Sequence, residues 1–199
     1  MTYVTYADLA RPATRARAVA YDSGLVIAGS LFIALSAQLA VRLPFSPVPI
    51  TGQTLAVLLT GALLGSRRGA LSTLAYIAEG LAGLPVFAGG AAGIMHLFGP
   101  TGGYLVGFVA AAFVAGRLAE RGWDRHMAWA AVAMLLGNLV LYAPALAWLS
   151  RFVGAEKALA LGFYPFIAGD LFKIGFAAAM LPLGWNLVRR IQSAPDESA

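Results

Sequence analysis

Apolar runs of near-spanning length recur along this chain, each closed by a short break of charge, glycine or proline. A helix needs about 20 mostly apolar residues to cross a hydrocarbon layer ~30 Å thick, and six such segments with short connections fit. The pattern predicts helices over residues 24–41, 52–64, 70–84, 102–119, 127–149 and 163–188. A polar arm (1–23) precedes them, with Pro12 interrupting any helix there, and a polar tail (192–199) follows the membrane domain (24–191). Two of the breaks are unusual. Residues 42–51 carry Pro44, Pro47 and Pro49, which forbid a helix, yet are otherwise largely apolar. Residues 85–104 are rich in glycine and proline and carry no formal charge. Non-helical apolar backbone at membrane depth is tolerated only where protein or a cavity covers it, so both stretches read as lids folded over the bundle. The remaining breaks are a tight basic turn at 65–69, a charged turn at 117–125 and a loop at 150–162.

Composition sharpens this to an all-α integral membrane protein of one domain. The chain is 60% hydrophobic and 12% charged, with a mean hydropathy of +0.77, against about 25% charged residues in average proteins. A net charge of +5 could suggest nucleic acid, but the arginines sit at segment ends rather than along one stripe. That is the positive-inside pattern. With the N-terminus inside, Arg11, Arg15, Arg17, Arg67, Arg68, Arg117, Arg121, Arg125, Arg189 and Arg190 are cytoplasmic. Only Arg42, Arg151 and Lys157 lie outside. Both termini are then cytoplasmic and both lids face outward. The first apolar run follows a polar arm and is long enough to span, so no cleavable signal is read. Cysteine is absent, and His96 and His126 are too few for a metal site.

The candidate chemistry centres on the last helix. Asp170 and Lys173, three residues apart, share a helix face. A start near Phe163 places them roughly 10 and 15 Å along the helix, with Lys173 near the bilayer midplane. Each charge costs about 2.5–3.5 kcal/mol there, so neither faces lipid. Such a pair is either a structural lock between helices or a polar spot holding a small polar ligand, and the second reading is favoured. Ser72, Tyr76 and Glu79 share a face of the third helix, where Glu79 either reaches solvent or lines the cavity. Asn138 and Tyr142 share one on the fifth, where Asn138 reads as an interhelical hydrogen-bonding residue and Pro144 as a kink. Ser30 and Ala34 form a small-xxx-small pair for close approach of another helix, and Gly103, Gly107 and Ala111 do the same on the fourth. No phosphate-cradling loop, hydrolase elbow or facing carboxylate pair is found, so the chain reads as a non-enzyme without its own ATP site or cofactor.

Several motifs together are specific. Pro47-Val-Pro-Ile-Thr-Gly-Gln-Thr54, Gly83-Leu-Pro-Val-Phe87, Gly99-Pro-Thr-Gly-Gly-Tyr104 with Gly107-Phe108, and Gly169-Asp170 with Lys173 follow one another from helix 1 to helix 6. In this the chain resembles the BioY family, the biotin-specific S-components of energy-coupling-factor vitamin transporters. The resemblance implies a six-helix S-component fold in a prokaryotic plasma membrane. It implies biotin in an outward cavity capped by the loops after helices 1, 3 and 5, and partner ATPase and coupling subunits that drive uptake. A helix-1 Ala-x-x-x-Ala pattern, here Ser30 and Ala34, would meet the coupling subunit. Asp170 would accept from the ureido N–H groups, while Lys173 meets the ureido carbonyl or the valerate. Phe87 and Tyr104 either enclose the rings or serve as core aromatics, and Gln53 contacts the ligand or caps helix 2. A stand-alone carrier for biotin or a related small acid is the alternative reading, and a homo-oligomer is compatible with either.

Overall fold

Arg15, Ala16, Arg17, Ala18 and Ala20 are strong helix formers standing beyond Pro12. In the computed structural model, which describes residues 4–193, they carry helix α1 (Arg15–Gln38) well into the predicted arm. The helix stops at Gln38 because the chain becomes extended. Strand β1 (Ala40–Val41) pairs antiparallel with β2 (Ile50–Thr51), Ala40 opposite Thr51 and Val41 opposite Ile50. The three prolines occupy the connection between these strands, where no ladder hydrogen bond is required of them.

Helices α2 (Gln53–Leu64) and α3 (Ser66–Leu81) are separated by Gly65 alone. The predicted basic turn is thus one residue long, and Arg67 and Arg68 belong to the first turn of α3. Gly65 makes this break at φ 88°, a backbone that side-chain-bearing residues adopt only under strain. Further along come the short α4 (Met95–Phe98) in the second lid and α5 (Gly102–Ala119), whose bounds match the prediction. Helix α6 (Met127–Val153) continues through Pro144, and α7 (Ala155–Gly162) replaces most of the predicted loop.

The last helix, α8 (Ile167–Ser193), follows a 3-10 turn at Tyr164–Phe166 rather than beginning at Phe163. Asp170 therefore sits in its first turn, where the helix dipole favours a carboxylate. Lys173 is correspondingly shallower along the helix than a start at Phe163 predicts. The last six positions of the predicted tail lie outside the described residues.

Six long helices thus form the bundle, with α4 and α7 as short additions among the described residues. Helices α1, α5, α6 and the stretch containing α8 are long and apolar enough to cross a bilayer. Close approach is bought with missing side chains. A Cβ on Gly61 would lie 2.2 Å from the carbonyl oxygen of Ala112 in α5, and one on Gly107 would lie 2.4 Å from that of Leu141 in α6. Tyr76, Ile33, Met134, Leu141 and Leu149 are fully buried between helices, whereas Leu35, Phe172, Leu183 and Ile191 face outward. Apolar residues on both faces are what a lipid-bathed bundle needs.

The two ends of the bundle differ. At one end lie the connections α1–α2, α3–α5 and α6–α8. At the other, residues 4–14 do not dangle as a loose arm but pack beneath the helices. The Tyr6 ring stacks on Trp185 at 4.4 Å and its hydroxyl donates to the Leu181 carbonyl. Arg68 bridges Asp8 and Asp22, each at 2.8 Å.

Candidate functional site

Both proline- and glycine-rich connections fold inward and, with α2, α5, α6 and α8, enclose a cavity of about 420 Å³. That volume falls in the range of small-molecule sites. Its walls are mainly apolar: Pro47, Val48, Phe87, Leu105, Phe108 and Phe166 contribute to them. The first lid is fastened to the far side by Ser46, whose hydroxyl donates to the Leu161 carbonyl in α7 at 2.7 Å. Tyr104 in α5 holds the end of α7 similarly, donating to the Gly162 carbonyl at 2.6 Å. The second lid is pinned by Phe87, buried edge-on against Tyr76, with centroids 5.6 Å apart.

The polar part of the wall comes from three helices. Lys173 of α8 donates to Thr54 Oγ1 of α2 at 2.7 Å and lies 3.4 Å from Asp170 Oδ1. Tyr142 of α6 donates to the other carboxylate oxygen, Asp170 Oδ2, at 2.5 Å. Asp170 is buried and stands behind the wall, whereas Lys173, Thr54 and Tyr142 form part of it. An ammonium has three N–H groups, so two are engaged here and one remains for a ligand. The Tyr142 O–H is committed to Asp170, which leaves the Tyr142 oxygen as an acceptor. The wall therefore offers a charged donor and a hydroxyl acceptor close together.

Gln53 lines the cavity with its amide already engaged. Its oxygen accepts from Thr51 Oγ1 at 3.0 Å, and its nitrogen donates to the Tyr76 hydroxyl at 2.5 Å. Phe87 and Tyr104 line it as well.

Four residues are placed otherwise than expected. Glu79 is not in the wall; its Oε1 accepts from Ser30 Oγ at 2.8 Å, between α3 and α1, because α3 turns that face toward α1. Ser30 and Ala34, expected on a partner-facing surface, are both buried. Their small side chains let α1 settle within this chain's own bundle, and the outward stripe of α1 is Ile27, Leu31 and Leu35. Asn138 is buried too, and its Oδ1 has no hydrogen-bond partner among the described residues, so it does not make the expected bridge through that atom.

Sequence reading missed Thr54, Tyr142 and Arg42 as wall residues. Tyr142 carried a faint signal, standing four residues from the polar Asn138 on one face of an apolar helix. Thr54 lay within a quoted motif but had no charge to single it out. Arg42 read only as a cation in the outward loop.

A profile of the BioY family matches residues 10–190 of this chain. A Pyrococcus horikoshii protein named a probable biotin transporter BioY is 44% identical over 151 residues, covering 74% of this chain and 88% of its own length. The Thermotoga maritima biotin transporter BioY is 40% identical over 139 residues, covering 69% and 81%. Among solved structures, the S-component for biotin from an ECF-type ABC transporter superposes with a TM-score of 0.72 at 25% identity. The match covers 92% of this chain and 96% of that one.

Proposed function

The chain belongs to the BioY family, and from that premise we propose how its cavity works. The protein is the biotin-binding, substrate-capture subunit of a vitamin uptake transporter, a multi-pass membrane protein. Partner ATPase and coupling subunits of an energy-coupling-factor module energise release to the cytoplasm. The arginine-rich end, with both termini, faces the cytoplasm, as the excess of Arg at that end favours. The cavity and its two lids then open outward.

One observation carries the chemical reading: a charged donor and a hydroxyl acceptor stand together in an otherwise apolar wall. A ureido ring presents a carbonyl acceptor beside N–H donors, which is the complementary set. Lys173 donates its remaining N–H to the carbonyl, a charge-assisted bond of the stronger kind. Tyr142 accepts from a ring N–H. Asp170 holds both groups in position, and Phe87, Tyr104 and Phe108 pack against the apolar part of the ligand, with Gln53 beside them.

Titration of the purified chain with biotin tests this. Lys173→Ala and Asp170→Asn are each expected to weaken binding by about a hundredfold, since a buried charge or its partner is orphaned. Variants that bind like the parent while melting like it would refute the site. Uptake by cells making this chain with or without an energy-coupling-factor module separates capture from stand-alone transport: uptake only with the module is expected.

A further inference from the structure

We propose that Arg42 forms an anion subsite at the mouth of the cavity, and that it takes the carboxylate of the ligand. The inference rests on the biotin-capture reading and assigns the end of the ligand that Lys173 does not hold. Arg42 directly follows β1 and lines the cavity together with Lys173. The two cations are not equivalent. The Lys173 side chain is 14% exposed and its charge is met by Asp170. Arg42 is exposed and has no ion-pair or hydrogen-bond partner among the described residues.

Its position joins the two lids. An ideal Cβ on Gly89, in the 3-10 turn Ala88–Gly90 of the second lid, would lie 3.8 Å from Arg42 Nη2. The guanidinium, rooted in the first lid, thus reaches the second at the opening. Charge accounting gives the class of ligand. Lys173 and Asp170 cancel, so the fixed charge left at the cavity is the +1 of Arg42, and a monoanion completes it. A guanidinium is a planar fork that suits a carboxylate better than any other acceptor in a vitamin of this kind. The ligand would then bind ring inward and acid outward, its charge tying one lid to the other.

The test compares biotin with its neutral methyl ester by calorimetric titration of the full chain in lipid nanodiscs. The parent is expected to prefer the acid by about fivefold or more, the upper range for a partly exposed ion pair. Arg42→Gln should bring the acid down to the level of the ester and leave the ester unchanged, which also shows that the variant is folded. Arg42→Lys should restore part of the preference. Arg42→Gln that keeps the preference, or weakens acid and ester alike, overturns the subsite. So does Lys173→Ala if it alone removes the preference, because the carboxylate would then sit on Lys173. A parent that binds neither compound overturns the capture reading, and the subsite with it.

Discussion

Four side chains at the junction of α2, α6 and α8 form one line, from Tyr142 through Asp170 and Lys173 to Thr54. Each member limits what its neighbour can offer. Asp170 accepts at both oxygens, so it fixes the direction of the Tyr142 O–H and holds the Lys173 ammonium at the wall. Removing the hydroxyl at Tyr142 deprives Asp170 of a buried donor and the ligand of an acceptor. Tyr142→Phe is therefore expected to weaken biotin binding by about tenfold or more, with little change of shape. Equilibrium binding checks it, and unchanged affinity would mean that Tyr142 only braces Asp170. Asp170 and Lys173 were visible in the sequence because charges in an apolar run are conspicuous. Tyr142 and Thr54 were not, since uncharged hydroxyls on helices are common and only the fold brings three helices to one point.

At the scale of helices, glycines decide how closely the elements meet. A methyl group at Gly61 would be driven into the Ala112 carbonyl, whereas one at Gly24, on the open face of α1, would meet nothing within 4 Å. Gly61→Ala should thus destabilise the bundle by about 1–3 kcal/mol through overpacking. Gly24→Ala should be neutral or gain up to about 1 kcal/mol from helix propensity. Thermal unfolding of the two variants in the same detergent makes the comparison, and equal melting would contradict the packing. Helix identity was largely legible, because long apolar runs have few alternatives. Helix ends were not. Arg15–Ser23 read as polar arm because hydropathy ignores helix propensity, and Phe163–Phe166 read as helix because the 3-10 turn there is equally apolar. The burial of Ser30 and Ala34, and the hydrogen bond from Ser30 to Glu79, depended on which way α1 rotates, and a small-residue motif does not encode that.

Across the whole molecule, the arginine-rich end answers to acid. Burial tends to raise Asp8, but the Thr5 backbone N–H, Thr5 hydroxyl and Arg68 guanidinium outweigh it, so its pKa is lowered. Glu120 is likewise lowered: burial acts against it, and the Ser66 N–H and hydroxyl and Arg117 prevail. A depressed folded pKa adds stability above the unfolded value, and that stability is lost as pH falls through the folded one. Asp124 works in reverse, raised by burial, so its share declines as pH rises past its unfolded value. The melting temperature should fall below about pH 4, and the fall should shrink in an Asp8→Asn, Glu120→Gln double variant; equal falls would show that these carboxylates do not anchor that end. The brevity of α3 has a reach beyond the protein itself. Its 16 residues rise about 24 Å, some 6 Å less than a typical hydrocarbon layer, while Leu71 and Leu74 remain exposed along it. Lipid beside that flank has to pinch inward, at a fraction of a kcal/mol per Å. A neighbouring protein with a similarly short flank would share that dimple instead of making a second one.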